Sequence, residues 1–164
     1  MENYIVINGK KAELTDEQLE KLGIKVESKN PFERVELANR YWYIGIANNA
    51  ICSNENKYVL DNNMYENVNY FNDENFAQQV ALHQLIYRKL LKYAYKNDAI
   101  VTDWDDHSKK YFISKDTDDN EIVVNFNLTL KHSCVVYFTS EEVAEKAIKD
   151  VVKPFMKEHP EFVW

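Results

Sequence analysis

A chain of 164 residues with 27 Asp and Glu against 20 Lys and Arg can bury a core of its own, and its net charge of −7 repels a phosphate backbone at long range. The 45% apolar and 29% charged residues are those of an ordinary globular domain, which excludes a disordered tail or fibrous repeat. Aromatic residues are abundant (11 Tyr, 8 Phe, 3 Trp) while Gly and Pro number three each, so long regular elements and short turns are expected.

The N-terminal stretch MENYIVINGKK lacks a basic region followed by an apolar run, so no secretory signal is expected there. No apolar run approaches the ~20 residues that cross a bilayer. Cys52 and Cys134 lie in apolar, strand-like contexts and are expected to be reduced, buried thiols of a cytoplasmic protein.

In chain order, Tyr4 to Ile7 reads as a strand, Asn8-Gly9 as a two-residue turn, and Lys11 to Leu14 as the antiparallel return. Thr15 with Gln18 three residues on forms a capping-box pattern for a short helix that Gly23 ends. Residues 1–30 therefore form a hairpin-and-helix module, and residues 31–164 an α+β body. In that body Arg40 to Ala47 reads as a strand, Ala50 to Cys52 as its return, Tyr58 to Leu60 as a third strand, and 61–69 as a polar loop. Asn72 is expected to cap a helix over Asp73 to Lys96. Its apolar stripe is Phe76, Val80, Tyr87, Leu90, Leu91 and Ala94, widened by Ala77, Ala81, Leu82, Leu85 and Ile86. Lys110 to Ser114 is a strand and Asp116 to Asn120 a turn. Residues 122–130 alternate, with Ile122, Val124, Phe126, Leu128 and Leu130 facing in. Cys134 to Phe138 returns, and Thr139 with Glu142 caps a helix whose buried stripe is Val143, Ala144, Ala147, Ile148, Val151 and Val152. Pro154 should end or kink that helix near Val152, and Trp164 should pack rather than fray.

The segments 70–77 and 137–144 share one plan at an offset of 67, and Tyr41 to Ile44 echoes Lys110 to Ile113 at an offset of 69. Two diverged strand-rich repeats, about 40–96 and 110–153, each closed by a helix, are the expected body. One antiparallel sheet should carry helices mostly on one face.

Chemistry-bearing patterns are few. No Gly-rich phosphate loop, nucleophile elbow or HExxH spacing occurs, and the four His are scattered, with His83 reading as a core histidine. No catalytic residue, metal ligand or cofactor is nominated. Asp116 to Glu121 resembles the start of a calcium loop, but Glu121 stands at its sixth position, where Gly is required. The aromatic strand residues Tyr41, Trp42, Tyr43, Tyr111 and Phe112 read as core rather than a base-stacking platform. The acidic bias of 97–121 is the more informative pattern. Asp103, Asp105, Asp106, Asp116, Asp118, Asp119 and Glu121, with Trp104, form the candidate surface for a basic protein partner.

The strings VINGKKAELTDEQLEKLGI, NPFERVELANRYWYI and KPFMKEHPEFVW, with the NYF- and VYF-led helices, resemble small uncharacterised proteins of phages and prophages of low-GC Gram-positive bacteria. That resemblance implies an accessory protein of the bacterial host cytoplasm that acts by binding host machinery. The expected role is non-enzymatic inhibition of a basic defence nuclease such as a CRISPR effector. The alternatives are a virion or assembly component that self-associates as a homodimer or larger, and a single-stranded nucleic-acid binder. The charge disfavours the last.

Overall fold

Strand pairing in the computed structural model begins with Tyr4–Ile7 (β1) and Lys10–Glu13 (β2), antiparallel with Tyr4 opposite Glu13. The residues described are 4–7, 10–15, 18, 21 and 30–164; the Asn8-Gly9 turn and the helix end at Gly23 lie outside them. The capping box is present in both directions, from Thr15 N–H to Gln18 Oε1 (2.9 Å) and from Gln18 N–H to Thr15 Oγ1 (3.3 Å).

The fold is α+β. Arg40–Ile44 (β3) pairs antiparallel with Ala50–Asn54 (β4), and a three-stranded sheet follows the order β6-β5-β7, built from Lys110–Lys115 (β5), Ile122–Asn127 (β6) and Tyr137–Phe138 (β7). The described strands thus form three separate antiparallel sheets rather than one. Trp42 of β3 forms a two-way backbone bridge with Phe71, and Tyr111 of β5 pairs with Phe138. In each unit the first strand of a hairpin lies between its partner strand and a Tyr-Phe segment that leads into a helix.

Several expectations shift for local reasons. Tyr58 to Leu60 is not a strand, and 61–69 is not a loop throughout: Val59–Glu66 is a helix (α1). Asp61 accepts from the Tyr58 N–H (3.0 Å) and Asn56 N–H (2.9 Å), and this bonding at the helix start overrides the β preference of Tyr58 and Val59. The long helix, Glu74–Lys96 (α2), is capped by Asp73, which accepts from Phe76 N–H at 2.7 Å. Asn72 is occupied elsewhere, donating to the carbonyls of Asn30 and Glu33. Likewise Ser140, not Thr139, caps Glu141–Ala147 (α3), because Thr139 N–H is still engaged in strand-like pairing with Ala99 C=O, and Glu142 pairs with Lys146 instead. Beyond α3 the chain forms a π turn, Ile148–Val152, and then Lys153–Glu158 (α4). Lys153 N–H reaches back to Ile148 C=O, so the break falls just ahead of Pro154. The proline then occupies the first turn of α4, where its missing N–H costs little.

The main core gathers Leu82, Ile86, Leu90 and Ala94 of α2 with Ile113, Val136, Phe138, Ala144, Ala147, Ile148, Val152, Phe155 and Phe162, and Trp164 packs against it. The inward alternation of β6 stops early. Ile122 and Val124 pack on that core, the strand ends at Asn127, and Phe126 (48% exposed), Leu128 (44%) and Leu130 (64%) face solvent. The return strand is only Tyr137–Phe138, and it pairs with β5, not β6. Cys134, in a turn at φ 61°, and Cys52, on β4, are both exposed free thiols, which corrects the expectation of burial. His83 is also exposed, its ring packing edge-on against Phe162 at 4.9 Å. No helix among the described residues is long and apolar enough to cross a membrane.

Candidate functional site

The eight acidic-segment residues do not form one patch. Asp103, Trp104, Asp105 and Asp106 precede β5, while Asp116, Asp118, Asp119 and Glu121 form the β5–β6 turn at its other end. Six strand residues separate the clusters by roughly 17 Å. At the turn, Asp116 N–H donates to Glu121 C=O (2.7 Å) and Asp116 Oδ1 accepts from Asp118 N–H (2.9 Å), which leaves the Asp118, Asp119 and Glu121 side chains exposed. In the other cluster Asp103 Oδ1 accepts from Asp105 N–H (2.8 Å). Asp106 is engaged by the buried Lys110 ammonium, which holds its carboxyl below the ordinary value, so Asp106 serves the fold more than the surface. Trp104 is half-buried, edge-on to Tyr137 at 4.8 Å, with the Lys110 and Lys131 ammonium groups each 5.7 Å from its ring.

Residues 99–101 pair with β7 (Ile100 opposite Phe138, Val101 N–H to Tyr137 C=O), so the first cluster lies toward β7, and only the β5–β6 turn cluster adjoins the outer edge of β6. The Asp116–Glu121 bond fixes the alternation of the ladder, so Ser114 opposite Val123 is a hydrogen-bonded pair and Ile113 opposite Val124 is not. The N–H and C=O groups of Ile122, Val124 and Phe126 therefore point away from β5, along an edge that no described strand covers. Phe126 projects beside this edge with Lys109 Nζ 4.3 Å above its ring, while the exposed Leu128 and Leu130 follow the end of β6, where Leu130 C=O accepts from Tyr137 O–H. A half-paired backbone with an exposed aromatic side chain and carboxylates at its turn end is suited to adding a strand from another chain.

A second polar constellation was not singled out from the sequence. Glu55, fully buried, accepts a two-pronged contact from Arg34 (2.7 and 2.9 Å), plus bonds from Tyr70 O–H (2.9 Å) and Lys57 N–H (2.7 Å). Buried Asp61 accepts from Tyr41 O–H at 2.8 Å, and the Tyr41 and Tyr70 rings stack at 4.1 Å. The Arg34 bond holds Glu55 down to about 2 against the effect of burial. Burial, then the Asp61 bond, pushes Tyr41 up to about 12, and burial with the Glu55 bond raises Tyr70 further. Burial alone would raise Asp61, but its three donors outweigh it and leave the carboxyl below its ordinary value. The signal that could have exposed this network is the pair of tyrosines: a buried phenol needs a polar partner, so Tyr41 and Tyr70 in the core imply acceptors beside them. Every buried side-chain polar atom of the network has a partner and Glu55 is sealed from solvent, so the network braces the first hairpin unit.

Of the proposed aromatic platform, Tyr41 is buried, and Trp42, Tyr43, Tyr111 and Phe112 are half-buried. No group of three or more His, Cys, Asp or Glu among the described residues is arranged to hold a metal ion. Comparison with protein-family models, with curated proteins and with solved structures finds no match.

Proposed function

We propose that this chain works by binding a basic protein through the outer edge of β6, with the acidic β5–β6 turn at one end of that strand steering and aligning the partner. The observation that carries this reading is the open β6 edge itself. Its unpaired backbone groups and exposed Phe126 run from the Asp118, Asp119 and Glu121 turn at one end toward the exposed Leu128 and Leu130 past the other. The action is stoichiometric rather than catalytic. A nuclease whose basic channel normally tracks a phosphate backbone offers the matching surface. The phage-like resemblance of the sequence leads us to name a bacterial defence nuclease of the CRISPR-effector type, met in the host cytoplasm. The same unpaired edge favours a second reading, strand-to-strand self-association in an assembly.

The test is a pull-down from nuclease-treated bacterial lysate, followed by titration of the captured protein against wild type, Asp118→Lys/Asp119→Lys and Val124→Pro. Proline at position 124 removes an outward N–H without touching the β5 ladder. Both variants should weaken binding about tenfold or more. Unchanged affinity in both would remove the edge from consideration. Light scattering that gives a monomer mass at every concentration would remove the self-association reading.

A further inference from the structure

The helical layer carries a groove unrelated to the β6 edge. It runs between α2 and the π-turn/α4 segment, encloses about 390 Å³, and has Tyr93, Val151, Pro154 and Phe155 as its apolar lining and Lys92 and Lys96 on its rim. Its size is in the range of about 300–1,000 Å³ typical of small-molecule sites. The π turn over Ile148–Val152 shapes one wall, and such turns recur at functional positions because they displace side chains from regular helical packing. The other charged groups of the groove are already engaged. Asp150 accepts from Tyr93 O–H at 2.9 Å, and Lys89 Nζ lies 3.9 Å from Glu158 Oε2. Lys92 and Lys96, one helical turn apart on the exposed side of α2, have no ion-pair partner among the described residues.

Two unpaired cations above an apolar floor select a ligand with an anionic head and an apolar body. We infer that this groove binds a small aryl or alkyl carboxylate or phosphate, its head between Lys92 and Lys96 and its body against Val151, Pro154 and Phe155. The charge of the whole chain opposes anions at a distance, so the selectivity comes from these two lysines at short range.

The experiment is a fluorescence titration of the full chain with anilinonaphthalenesulfonate, an apolar-bodied anion, alongside neutral phenylnaphthylamine, which has the same body without the charge. The expected result is saturable binding of the anionic probe that weakens about tenfold in Lys92→Glu/Lys96→Glu and less in Lys92→Gln/Lys96→Gln, with the neutral probe bound more weakly and unaffected by either change. Both lysines are exposed, so these variants keep the fold. Equal binding of the two probes, unchanged affinity in both variants, or no saturable binding of the anionic probe would overturn the assignment.

Discussion

The two hairpin units solve the same geometric problem with opposite chemistry. In both, a Tyr-Phe segment pairs with the first strand of a hairpin and leads into a helix: Phe71 with Trp42 before α2, Phe138 with Tyr111 before α3. The second unit fills the space under its sheet with apolar groups, Phe138, Ala144, Ala147 and Ile148 among them. Around Tyr70 and Tyr41, the first unit instead centres on carboxylates, phenols and a guanidinium, held by the left-handed turn at Lys57 (φ 59°) that aims backbone N–H groups at Glu55 and Asp61. An apolar core tolerates imprecise geometry, whereas a buried ionic network is stable only when every partner is present. The first unit should therefore be sensitive to pH and to single-atom changes, the second to volume.

The largest effect should come from Phe138→Ala. This fully buried ring packs where β5, β7 and α3 meet, and its removal should cost about 4 kcal/mol by urea denaturation, independent of pH. A cost below about 1 kcal/mol would mean that the second unit collapses around the void and is less tightly packed than its burial implies.

Glu55→Gln tests the other half of the contrast. The side chain keeps its shape but weakens the Arg34 contact, and the expected cost is about 2 kcal/mol at neutral pH, below the full value for a buried pair because Arg34 is partly exposed. The sign with pH follows from the depressed carboxyl, about 2 in the fold against an ordinary 4.5. Its contribution is complete above 4.5 and is lost as the pH falls toward 2, so the stability gap between wild type and variant should narrow across that window. A gap that stays constant would show that Glu55 acts by packing and not by charge, and the contrast between the units would fail.

The same contrast explains what could be read from the sequence. The buried face of α3 and the π turn was legible because it is periodic, with Ala144, Ala147, Ile148 and Val152 buried. On α2 the spacing found the helix, but the buried line is Ala77, Ala81, Leu82, Ile86, Leu90 and Ala94, while Phe76, Val80, Tyr87 and Leu91 are half-buried. The break before Pro154 was legible from one residue type. The network was not, because Arg34, Glu55, Asp61 and Tyr70 meet only through tertiary structure. α1 was missed because a single carboxylate, Asp61, outweighs two strand-favouring residues, Tyr58 and Val59. The alternation over 122–130 gave too long a strand because the pattern of apolar residues runs on past Asn127, where β6 ends. The acidic segment was visible as composition, yet only the β5 ladder shows that it forms two clusters, one of them beside an open edge.

The smallest predicted difference lies at the two helix starts, and it sharpens the comparison because both units use the same device. Asp73 binds Phe76 N–H at 2.7 Å and adds a full negative charge at the positive end of the 23-residue α2. Ser140 offers Val143 N–H a neutral hydroxyl at 3.5 Å, the outer limit of a useful bond. Asp73→Ala should therefore cost about 1 kcal/mol and Ser140→Ala roughly half as much, measured by thermal or urea unfolding at neutral pH. Added salt should reduce the first cost and leave the second unchanged, since only the first includes an exposed charge. Equal costs with equal salt dependence would mean that the pairing of the Tyr-Phe segment, and not the cap that follows it, sets where each helix begins.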